Sequence, residues 1–189
     1  MRRPLSQLVL VVAICVIAFA VTLRHDVGGI VATPDTRPGF VLDPARPFVI
    51  EFGRGDALVG MDIVHLDQSG NVELIRVAAG RSETTSLRLS PTVLARVAGL
   101  VNENGLTSLG CRYARDPPVS DGTQWVLWVH QGPADKAVDF DNAFPAAVRA
   151  FADGLDAVLR TAGRPAATWA TAATGPATRR QRSIWDHVR

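Results

Sequence analysis

A chain of 189 residues, 47% apolar and 20% charged, has room for one core of modest size, and it is neither a disordered polar chain nor long enough for a second large domain. Its formal charge of +2 is unevenly placed: from Pro47 to Ala162 ten Lys and Arg face fourteen Asp and Glu, a balance of about −4, and the positive excess sits in the flanks. Binding nucleic acid through that middle stretch would need a Lys/Arg stripe against phosphates, and the stretch has none.

The first two dozen residues carry an export signal. Arg2 and Arg3 precede the uncharged run Leu8 to Leu23, and Arg24 and His25 close it. This sixteen-residue run falls just short of the roughly 17 to 25 residues that cross a bilayer as a helix, and Leu5 to Gln7 make up the difference. The run has no polar face, which argues against a buried core helix. The reading favoured is an uncleaved single-pass anchor over residues 1–25, with its start in the cytoplasm and the rest outside. The alternative is secretion after cleavage near Ala20, because Ala18-Phe19-Ala20 fits the small-x-small pattern. Either route leads to an extracytoplasmic protein, and the near-complete use of Arg over Lys (Lys136 is the single lysine) is common in GC-rich bacterial genomes.

Residues 26–46 hold Gly28, Gly29, Pro34, Pro38, Gly39 and Pro44 with little apolar periodicity, the composition of a linker. The folded domain is then expected over 47–162. Phe48 to Phe52 alternates as a first strand. MDIVHL and NVELIRV flank Asp67-Gln68-Ser69-Gly70 as a hairpin, and Thr84 to Leu89 supplies a fourth strand. Ser90-Pro91 opens a helix as N-cap and first turn, Val93, Leu94, Val97, Leu100 and Val101 form its stripe, and Asn104-Gly105 ends it. TQWVLWVHQ and KAVDFD make two more strands around a turn at Gly132-Pro133. Asn142 is placed to cap a last helix whose stripe is Phe144, Ala147, Val148, Phe151, Leu155, Val158 and Leu159. The expected fold is therefore α+β: an antiparallel sheet of about six strands with two amphipathic helices on one face, in the order ββββαββα, preceded by a transmembrane or signal helix. From 163 to 189 the chain turns Ala-, Thr- and Gly-rich and then basic, the composition of a disordered tail.

Candidate chemistry is thin. Cys15 lies in the apolar run and Cys111 stands alone in the domain, as a small buried hydrophobe or as a thiol near His65 or His130. No Gly-x-Ser-x-Gly elbow, histidine pair at metal-ligand spacing or glycine-rich phosphate loop is present, so no catalytic residue, cofactor or metal is assigned. Arg54-Gly55-Asp56 spells an integrin-binding tripeptide, but a turn between strands is the favoured reading. Asp139, Asp141 and Asn142 lack the glycine and terminal Glu of a calcium loop and read as a strand end. Trp125 and Trp128 lie an odd number apart and must face opposite sides of the sheet. One fills the core, and the other, with Val126 and His130, offers a partner-contact patch; Trp125, Trp128 and His130 are the contact candidates. Beyond the membrane at Leu8 to Leu23, the partner expected is an extracytoplasmic protein.

The succession of FVIEFGRG, the hairpin, LSPTVLARVAGLVNENGL, the W-V-L-W-V strand, KAVDFDN and the final helix resembles small bacterial domains of the emfourin type, over Pro47 to Ala162. Those domains inhibit thermolysin-like metallopeptidases, so the resemblance implies an inhibitor or related binding module and supplies no inhibitory residues. An envelope-assembly accessory and a Cys111-dependent enzyme are the remaining alternatives.

Overall fold

A computed structural model of the chain describes residues 29–56, 60–78, 81–119 and 122–163. The Leu8 to Leu23 run, Cys15 and the basic tail lie outside the described residues; within them, no helix is long and apolar enough to cross a membrane.

Among the described residues, eight strands and two α-helices follow one another. β1 (Gly29–Thr33), β2 (Val49–Asp56), β3 (Gly60–Asp67), β4 (Asn71–Ala78) and β5 (Arg81–Arg88) lead into α1 (Pro91–Glu103) and a 3-10 turn at Leu106–Ser108. β6 (Arg112–Asp116), β7 (Thr123–Gln131), β8 (Ala134–Asp141) and α2 (Ala146–Thr161) complete the order. The strands form one sheet in the spatial order β1-β6-β8-β7-β2-β3-β4-β5.

Local chemistry explains most of these elements. The β3–β4 hairpin closes where the Gly70 N–H meets the Asp67 carbonyl at 2.9 Å, while the Asp67 carboxylate accepts from the Asn71 amide side chain at 2.9 Å. Gly70 takes a φ of 83°, which favours glycine at that position. α1 starts with the Val93 N–H donating to Ser90 Oγ at 3.4 Å and Pro91 in the first turn; it ends with Gly105 in the left-handed region. Its buried residues are Leu94, Val97, Ala98 and Val101, and those of α2 include Val148, Phe151, Leu155 and Leu159. Both helices meet one face of the sheet in a single apolar cluster with Ile50, Phe52, Val64, Leu66, Leu127, Val129, Val138 and Phe140. Phe151 meets Phe52 edge to face at 5.3 Å, and Leu155 and Leu159 are 0–1% exposed.

Three expectations are corrected. The sheet has eight strands, and it is mixed rather than antiparallel, because β6 runs parallel to β8. The β7–β8 hairpin inserts β8 between β6 and β7; β6 and β8 are both antiparallel to β7 in direction and so parallel to each other. Asn142 does not cap α2: it has a φ of 53°, its side-chain amide donates to Asp141, and Pro145 stands at the helix start. Residues 29–46 are not a spacer. β1 pairs along β6, Leu42 is 1% exposed, and side chains hold the segment down at several points. Asn102 exchanges two hydrogen bonds with the Leu42 backbone at 2.8 and 2.9 Å, and Gln131 does the same for Asp43 at 2.9 and 2.8 Å. Irregular backbone entering a core must find such partners, since an unpaired buried peptide group costs about as much as a lost hydrogen bond.

Candidate functional site

Side chains alternate along each strand, so the residues between those facing the helices line the sheet's other face. Cross-strand register arranges them in rows. Glu73, His65, Glu51, Trp128 and Ala137 form one row; Ile75, Ile63, Gly53, Val126 and Asp139 form the next. Among the described residues no helix packs on this face.

The second row makes a small core of its own. Met61, Ile63, Ile75, Val77 and Val126 cluster there, and Val126 is fully buried. Gly53 is the reason they meet. A Cβ at that position would lie 2.8 Å from Val126 Cγ2 and 3.0 Å from Met61 Sδ, so the side chains on either side of β2 close over the bare backbone. Beyond Val126, burial pushes the Asp139 carboxyl above the ordinary carboxylate range; the Arg112 guanidinium 3.5 Å away opposes that and Asp141 reinforces it.

The first row carries the polar chemistry. His65 Nδ1 lies 2.7 Å from Glu51 Oε1, and the Glu51 side chain is 4% exposed. Its second oxygen, Oε2, is buried without a hydrogen-bond partner. A polar oxygen in that state is costly and marks the position for explanation. Beside Glu51, the half-buried Trp128 stacks on His130 with ring centres 5.5 Å apart and donates its indole N–H to Asp135 at 2.5 Å. Asp135 also faces His130 Nδ1 at 3.5 Å and Arg37 at 3.4 Å, so the indole is gripped on its polar edge.

Of the three contact candidates, Trp128 and His130 are brought together and Trp125 is not. Trp125 turns to the helix side, between Phe52 at 5.7 Å and Phe144 at 4.4 Å. The tripeptide Arg54-Gly55-Asp56 is no exposed loop. It ends β2, paired on both sides, and the Arg54 guanidinium grips Asp156 of α2 through two bonds of 3.0 and 2.6 Å while lying over Phe52 and Trp125. A cleft of about 310 Å³ opens next to it, lined by Asp56, Asp62, Arg76, Thr123 and Trp125. There Arg76 faces Asp62 at 3.2 Å, so its charge is matched within the wall.

Cys111 Sγ lies against the carbonyls of Thr33 and Pro34, whereas His65 is held by Glu51 and His130 by Trp128 and Asp135. Neither histidine contact involves the thiol. Asp139 and Asp141 each face Arg112 at 3.5 Å, and among the described residues no three His, Cys, Asp or Glu side chains are grouped to hold a metal.

Sequence reasoning missed Glu51, and weighed His65 only as a neighbour of Cys111. Glu51 occupies an alternate position of a strand whose neighbours Ile50 and Phe52 point the other way, which reads as an ordinary solvated residue. Only the cross-strand register sets it between His65 and Trp128. No protein-family model matches this chain, and no curated protein matches it.

Proposed function

We propose that this chain is a non-catalytic binding domain, held outside the cytoplasm by Leu8 to Leu23, that takes a partner protein on the open face of its sheet. The observation carrying this reading is the Glu51 carboxylate. It is buried, one oxygen is taken by His65, the other is unpartnered, and an indole stands in the next strand. A carboxylate beside an aromatic face suits a lysine or arginine side chain from a partner, which would lie against Trp128 and reach Oε2 by displacing the groups that cover it. Tryptophan with a charged neighbour is also the residue type that dominates interface energetics.

Full-length protein, captured with its bound partners from a bacterial envelope fraction, tests this. Trp128→Ala and Glu51→Gln should each weaken capture of a partner at least tenfold while leaving the thermal unfolding midpoint of Trp128→Ala within a few degrees. Undiminished capture by both variants would refute the open face as the docking surface. The anchor is tested by membrane fractionation and intact mass: an uncleaved chain pellets with membranes, and cleavage near Ala20 releases a shortened one.

The element-order resemblance to emfourin-type domains favours a peptidase as one partner class. Titrating a thermolysin-like metallopeptidase with the full chain should then give stoichiometric loss of peptide hydrolysis. Unaltered turnover at a large excess of the chain would remove that partner class and leave the open-face reading standing.

A further inference from the structure

The two edges of the sheet are built differently. β5 carries Arg81, Glu83 and Arg88 among serines and threonines, the charged pattern that discourages another strand from adding on. β1, at the opposite edge, reads Gly-Ile-Val-Ala-Thr. It has no charge and no proline, all five residues are exposed, and Ile30 and Val31 are 55% and 53% exposed. Among the described residues only β6 pairs with it.

One hydrogen bond fixes the direction in which β1 presents its peptide groups. The Thr33 carbonyl accepts from the Cys111 N–H at 2.9 Å, so Thr33 turns its peptide groups toward the β6 side. Alternate residues of an antiparallel strand do the same, which directs Gly29, Val31 and Thr33 inward and Ile30 and Ala32 outward. Two outward donors and two outward acceptors therefore stand two residues apart, centred on Val31. An identical strand running antiparallel satisfies all of them at once: Ile30 pairs with Ala32 of the other copy, Ala32 with its Ile30, and the two Val31 residues face each other. A copy of the same chain also brings no opposing charge, whereas the edge offers a foreign strand no charged or pocketed position to select it.

We propose that β1 is a self-pairing edge, and that two copies of this chain join through antiparallel β1 strands related by a twofold axis at Val31. Four backbone hydrogen bonds and two short apolar strands make a small contact, so the pairing is reversible and rises with concentration. It is independent of the open-face reading, which uses β2, β3 and β7.

The test is disulfide trapping in the full chain, in mild detergent, on a background with Cys15→Ser and Cys111→Ser. Val31→Cys should form a disulfide-linked dimer readily, because directly opposed residues of a non-hydrogen-bonded pair sit about 4.5 Å apart between Cα atoms, within disulfide range. Ile30→Cys and Ala32→Cys should each trap poorly alone and well when the two are mixed. Adding Ile30→Pro to Val31→Cys removes an outward N–H without touching the bonds to β6, and should cut trapping roughly tenfold or more, as expected for losing two of four hydrogen bonds. Equal trapping at positions 30, 31, 32 and an exposed β5 control, Thr84→Cys, would assign any association to another part of the chain and overturn the proposal. So would trapping at Val31→Cys that Ile30→Pro leaves unchanged in a variant with an unaltered circular dichroism spectrum, or no trapping at all.

Discussion

Three buried positions carry much of what is particular to this molecule. Lys136, 2% exposed, reaches Asp35 at 2.9 Å and the Leu109 carbonyl, while Asp35 is also gripped by Arg37 at 3.1 Å. Removing one partner of such a pair leaves the other charge desolvated, so Lys136→Ala should lower the unfolding free energy by about 3 kcal/mol in urea titrations. Lys136→Met, which keeps the stem's packing, should lose less. Gly53 works by absence. Alanine there forces Val126 or Met61 aside, at an expected cost of about 1–3 kcal/mol by the same measurement. Glu51, with an unpartnered oxygen in a buried site, is the residue whose cost folding alone does not explain, and it is the one we assign to a partner.

At the level of elements, the segment between β1 and β2 separates two pictures of the chain. A spacer would tolerate any change at Leu42. In the fold, Leu42 belongs to the main core cluster with Phe48, Val101 and Leu106, and its backbone is held by Asn102. Leu42→Ala should therefore cost about 2–5 kcal/mol, the range for deleting a buried leucine side chain, and an unchanged denaturation midpoint would restore the spacer. The β3–β4 hairpin and both helices were legible because their signals are local: a turn of Asp-Gln-Ser-Gly, a Ser-Pro start, and a stripe repeating every three to four residues. β1 and β6 were not. Each has five residues, and Arg112-Tyr-Ala-Arg-Asp alternates no apolar face, because β6 lies near the edge and gives neither side wholly to a core.

For the whole molecule, acid sensitivity follows from Asp35. Hydrogen bonds from Arg37, then from Lys136, hold its carboxyl well below the ordinary value of 3.8. A carboxyl depressed on folding stabilises the protein fully above its unfolded value and loses that contribution as pH falls toward its folded value. Unfolding free energy should accordingly decline below about pH 4, and Asp35→Asn should flatten that decline while lowering stability at neutral pH. Asp139 has the opposite sign: its raised carboxyl contributes stability that disappears as pH climbs past 3.8. The sequence by itself determined the α+β class, the paired β3–β4 and β7–β8 strands, the two amphipathic helices and the opposite facing of Trp125 and Trp128, since each rests on residues within a few positions of one another. Tertiary structure alone decided that residues 29–46 join the fold, that β6 and β8 run parallel, and that Arg54 is locked to Asp156, Lys136 to Asp35 and Glu51 to His65. The first two of those pairs bridge 102 and 101 positions, and Glu51–His65 bridges 14. A charged side chain looks solvated from its neighbours in sequence, and only the packed fold supplies the partner that makes its burial tolerable.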